Sequence, residues 1–114
     1  MQETKLLDRR IFERIPVKLP LRFLELTLNK ESLAQTHDIS ASGIGIVADE
    51  KLLPHTSLEM WLQIPNSDVP LYTRGRVVWS ESVESNQYRA GISLEKVELM
   101  KMSPILRNKR LNKI

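Results

Sequence analysis

Two arginines four residues apart, Arg10 and Arg14, and a turn reading Asp38-Ile39-Ser40-Ala41-Ser42-Gly43 carry the clearest chemistry in this 114-residue chain. A guanidinium is a planar fork of donors that matches a phosphate or the O6/N7 edge of guanine, and its flat face stacks on a base. The turn supplies what arginine lacks. The Asp38 carboxylate can accept from guanine N1 and N2, Ser40 can donate or accept, and Gly43 lets backbone approach a ligand closely. Arg14-Ile15-Pro16 disfavours a helix, which puts the arginines in a loop before the first strand. Taken alone, Asp-x-Ser-x-x-Gly also describes an Asx- or Ser-stabilised turn between strands.

Little else in the chain suggests reactivity. His37 and His55 are the only histidines, without the spacing that would place two imidazoles on one metal. His37 adjoins Asp38, but neighbours along a strand point to opposite faces, so His37 reads as a surface or turn residue that does not work with Asp38. No Gly-x-Ser-x-Gly, phosphate-binding glycine loop or nucleophile–base pair is present, and Glu59, Asp68, Glu81 and Glu84 read as solvating charges. No catalysis and no cofactor are expected.

The elements that must position these residues are strands. Val17 to Leu28 alternates apolar and polar residues, with Pro20 marking an edge, bulge or barrel corner. Leu33 to Ile39 and Ile44 to Val47 flank the Asp38–Gly43 turn. Leu58 to Ile64, Leu71 to Trp79 and Gln87 to Leu94 follow, with Ser80 to Asn86 as a polar connection. Six short strands without an intervening helical pattern predict an antiparallel barrel or sandwich. Gly75 and Gly91 suit barrel bends or close backbone approach. Ser103-Pro104 reads as the start of a C-terminal helix, and periodicity leaves Val97 to Met102 undecided between helix and coil.

Composition sets the frame. Hydrophobic residues at 41% and charged residues at 27% fit one folded domain. The absence of cysteine removes disulfides and fits a reducing compartment. No run approaches the roughly 18 apolar residues of a membrane span, and Met1 to Arg10 lacks a signal-peptide pattern, so a cytoplasmic protein is expected. The net charge of +3 concentrates at the ends: Arg9, Arg10 and Arg14 at the start, and Arg107, Lys109, Arg110 and Lys113 at the finish. The second cluster reads as a solvated helix face or tail.

The order Arg10-x-x-x-Arg14, first strand, then Asp38-x-Ser40-x-x-Gly43 at a strand end resembles the PilZ domain family, with Gly75 to Trp79 and Arg89 to Ile92 extending the likeness to about Leu94. The resemblance implies a six-stranded antiparallel β-barrel with an accompanying helix, and a bacterial receptor for cyclic di-GMP. It implies that Arg10 and Arg14 wrap the ligand's phosphates and guanine faces while Asp38, Ser40 and Gly43 hold a guanine edge. Arg9 stands at the position associated with binding one or two stacked ligands, and another cation there leans towards two. The implied division is a flexible arm over 1–8, a barrel with its arginine loop over 9–100, and a C-terminal helix or tail over 101–114. The arm would order on binding and signal to a separate effector protein of motility, pilus or exopolysaccharide machinery.

Two other functions fit the residues less well. A pI near 9.4 allows a small barrel binding single-stranded nucleic acid, but Phe23, Trp61, Tyr72, Trp79 and Tyr88 lie in strands, where they are expected in the core rather than on a stacking platform. No DNA or RNA is therefore expected. An adaptor that ignores the ligand would bind its partner equally well without Arg10 and Arg14.

Overall fold

The computed structural model describes residues 14–40 and 43–95. Seven strands run through them: β1 (Ile15–Pro16), β2 (Pro20–Glu25), β3 (Lys30–Ser40), β4 (Gly43–Ala48), β5 (Ser57–Leu62), β6 (Leu71–Glu84) and β7 (Gln87–Ser93). All pairings are antiparallel, in the order β1-β3-β2-β5-β6-β7-β4, and β4 returns to β3. That return closes a six-stranded barrel and removes the free edges of an open sheet. The short β1 adds outside the six, pairing Ile15 with Ile39 and Pro16 with Asp38.

Alternation builds the interior. Leu21, Phe23, Ile44, Ile46, Leu58, Met60, Leu62, Val77 and Ile92 are buried inside the barrel, and Arg22, Glu59, Arg74 and Arg76 point outward between them. Thr36 is buried among these apolar residues. Its Oγ1 accepts from the Leu19 amide at 2.8 Å and donates to the Val17 carbonyl, pinning the segment between β1 and β2 to β3. Asn29, Asn66 and Asn86 take the turns at positive φ, which asparagine tolerates better than most residues.

Three details depart from the sequence reading. The first long strand begins at Pro20 rather than Val17, with Pro20 exposed at its head. The expected connection Ser80 to Asn86 is largely strand, because β6 continues to Glu84 and pairs Glu81 with Arg89 and Ser82 with Tyr88. Cross-strand pairing supports that polar stretch without an apolar face to reveal it. β3 carries a register shift between Thr36 and Asp38, and β6 carries two, between Val77 and Trp79 and between Ser82 and Glu84. The expected C-terminal helix, and the arm, lie outside the described residues. No helix among the described residues is long and apolar enough to cross a membrane.

Candidate functional site

Two of these register shifts, at Thr36/Asp38 and Val77/Trp79, build the site. In β3, Thr36 faces inward opposite Ile46; the extra residue His37 reverses the phase, so that Asp38 faces outward opposite Gly45 and Ile39 returns to the core. In β6, Val77 faces inward opposite Ile92, and the extra residue Val78 turns Trp79 outward opposite Gly91. A β-bulge characteristically re-aims a side chain in this way. Gly45 pairs with Gly91 on the adjacent strands, so Asp38, Gly45, Gly91 and Trp79 form one row across four strands.

Two glycines in the middle of that row leave a trough with a wall at each end. A β-carbon on Gly45 would lie 2.8 Å from Asp38 Oδ1, and one on Gly91 would lie 2.2 Å from Trp79 Nε1. The carboxylate therefore rests over one glycine and the indole over the other. Gly43 has a stricter reason to be glycine: its φ is +139°, and a β-carbon would meet the Ile92 carbonyl oxygen at 1.9 Å. This close approach of β4 to β7 sets the trough floor.

The polar groups converge on Asp38, whose side chain is only 7% exposed. Its Oδ2 lies 3.5 Å from Arg14 Nη1 and 2.9 Å from His37 Nδ1. The Arg14 side chain is 63% exposed, so it covers the carboxylate from the solvent side. A cavity of about 180 Å³ joins Arg14, Asp38, Ser40 and Gly43 to Trp79 and Arg89. Asp38 is its one acidic lining residue among the described residues, beside Arg14, in a cavity that Arg89 also lines. Such a site offers an acceptor for ring N–H donors, a flat aromatic surface and positive charge for an anion.

Of the residues expected to bind, Arg14, Asp38, Ser40 and Gly43 are thus brought together, whereas Arg9 and Arg10 lie outside the described residues. The expectation that His37 and Asp38 diverge fails, because the bulge places both side chains on one side of the strand. Trp79 is 40% exposed and belongs to the trough rather than the core. Gly45, Gly91 and Arg89 were not singled out for the site. The available signal was local: Val77-Val78 is an apolar doublet that breaks the alternation just before Trp79.

The fold coincides with that of a known family. A model of the PilZ domain matches residues 8–108. The chain belongs to the PilZ domain family. Among solved structures, this PilZ domain is similar to the Bacillus subtilis inhibitor of motility MotI/DgrA, with a TM-score of 0.67 and 19% identity over 92% of this chain and 53% of that one. It therefore spans about half the length of that protein. It is also similar to the PilZ domain of CeSA from a cellulose-synthesising bacterium, with a TM-score of 0.62 and 13% identity, covering 86% of this chain and 98% of that one. Against curated proteins it has no significant match.

Proposed function

We propose that this PilZ domain is a receptor for cyclic di-GMP and that the Asp38–Trp79 trough seats one of its guanines. The observation that carries this reading is the pair of bulges that sets a carboxylate and an indole at opposite ends of a two-glycine floor. A guanine seated between the two side chains can donate N1–H and N2–H to Asp38 while its ring packs against Trp79. Arg14 then turns from Asp38 towards phosphate or the base face, and Ser40 adds a hydroxyl. Arg10 and Arg9, upstream on the same segment, complete the clamp in this reading. Guanidinium groups suit both tasks because they bond phosphate in the plane and stack out of it.

The signal is the closing of the N-terminal arm over the barrel, read by a separate effector protein. A motility, pilus or exopolysaccharide output follows from the family, and the first is in keeping with the name of the Bacillus subtilis neighbour. The domain acts as a binding module rather than a catalyst. The nucleic-acid alternative draws little support from the other aromatic group. Arg22 already lies over Trp61 at 4.3 Å, and Tyr72 packs against Trp61 while donating its hydroxyl to Glu59.

Calorimetric titration tests the proposal. Cyclic di-GMP should bind the wild type, and Arg14→Ala or Asp38→Ala should weaken binding by about ten- to hundredfold. No heat with wild type, or wild-type affinity in both variants, rejects it. Equal competition by single-stranded RNA would favour the nucleic-acid reading instead.

A further inference from the structure

The outward-facing rows do not end at the trough. In the next row, Ser40, Gly43, Ser93, Arg76 and Ser57 are successive register partners across β3, β4, β7, β6 and β5. Ser93 lines the trough cavity and also a larger hollow of about 570 Å³, so the two meet there. Ser57, Arg74 and Arg76 form the polar side of the larger hollow, Leu58 and Leu94 contribute apolar surface, and Glu95 is its acidic member.

Arg76 is the cation best placed to serve both hollows. It is exposed, and it is the outward residue of β6 nearest Trp79 apart from the bulge residue Val78. With neighbouring strands about 4.8 Å apart, the Arg76 backbone stands roughly 10 Å from Gly43, a gap its long side chain can span towards the trough. None of the ion pairs among the described residues uses Arg76. Arg74, one outward position farther from the trough, already has a partner within the protein.

We propose that Arg76, flanked by Ser57 and Ser93, is a phosphodiester subsite for the half of the dinucleotide that the trough does not hold. The inference rests on the cyclic di-GMP reading above. That ligand carries two guanines on a ring closed by two phosphodiesters. With one guanine against Asp38 and Trp79, and Arg14 on the Asp38 side, the other half projects along β7 towards Ser93. A guanidinium there takes two phosphate oxygens at once, and the serine hydroxyls donate to what remains. The site is thereby bipolar: Arg14 grips one side of the ligand and Arg76 the other.

The test is titration of cyclic di-GMP, with GMP as the half-ligand measured by competition, into wild type, Arg14→Ala, Arg76→Ala and Arg76→Lys. Thermal melts confirm that each variant is folded. Arg76→Ala should bind cyclic di-GMP about tenfold more weakly with unchanged stoichiometry, leave GMP unaffected, and be partly rescued by Arg76→Lys. The deficit should shrink as salt rises from about 0.1 M to about 1 M and the Debye length falls from about 10 Å to about 3 Å. Binding of cyclic di-GMP by Arg76→Ala within about twofold of wild type overturns the inference while leaving the receptor reading intact. An equal loss of GMP binding, or a drop in stoichiometry at unchanged affinity, overturns it too. If wild type does not bind, or Arg14→Ala binds as wild type does, the receptor reading fails and the subsite with it.

Discussion

Replacing Gly45 by alanine separates binding from folding at a single atom. The added β-carbon would stand 2.8 Å from Asp38 Oδ1 and 3.4 Å from its Cγ. Relief to an ordinary 3.4 Å contact moves the carboxylate by about 0.6 Å, enough to spoil hydrogen bonds that weaken steeply with geometry. Only Gly43 among the described glycines has a positive φ, so alanine at 45 carries no backbone strain and gains about 0.5–1 kcal/mol over glycine in a strand. Stability should therefore change little, while cyclic di-GMP affinity falls by about 1–3 kcal/mol, some ten- to hundredfold. Gly43→Ala is the contrast: its obstacle is the Ile92 carbonyl, which cannot swing away, and it should lose at least about 2 kcal/mol of stability. Urea denaturation and calorimetry on both variants give the two readouts. Wild-type affinity in a folded Gly45→Ala protein would refute the assignment of Asp38 as the guanine acceptor.

Other outcomes follow from the same geometry. Trp79→Ala should cost about 1–3 kcal/mol in ligand affinity, and ligand-induced fluorescence change should persist in Trp61→Phe but vanish in Trp79→Phe. Thr36→Val leaves the buried Leu19 amide without its acceptor and should destabilise the fold by about 1–3 kcal/mol in chemical denaturation. Glu50 is held below the usual carboxylate range chiefly by its hydrogen bond from Lys30, and Lys30 is raised chiefly by the same bond, at 2.6 Å. The depressed carboxylate favours the fold above its ordinary range and loses that contribution as pH falls through its native value. The raised amine loses its contribution as pH rises through its native value. Lys30→Met should return Glu50 to the ordinary range in an NMR pH titration, with little change in stability because the pair is exposed.

The barrel was readable because its strands mostly keep a strict period of two: Ile44 and Ile46, then Leu58, Met60 and Leu62, need no tertiary knowledge to be placed inside. Asp38, Ser40 and Gly43 were readable as a turn carrying an acceptor. Counting by two from Val77 puts Trp79 in the core, but one inserted residue at Val78 inverts the positions from Trp79 to Ser82, where a second register shift follows. The same slip at His37 hid its contact with Asp38. Gly45 and Gly91 acquire meaning only from what lies over them, and those side chains come from other strands. Polar Ser80 to Glu84 looked like a loop because its partner is β7 rather than a core.

Whether cyclic di-GMP occupies the trough between Asp38 and Trp79 can be read directly from two-dimensional NMR of the labelled protein during titration. Ligand in the trough should give saturable shifts of the Gly45 and Gly91 amides and of the Trp79 indole N–H, while the Trp61 indole stays in place beside Arg22. Shifts centred on Trp61 and Tyr72, or no shift in the trough at saturating ligand, would contradict that placement.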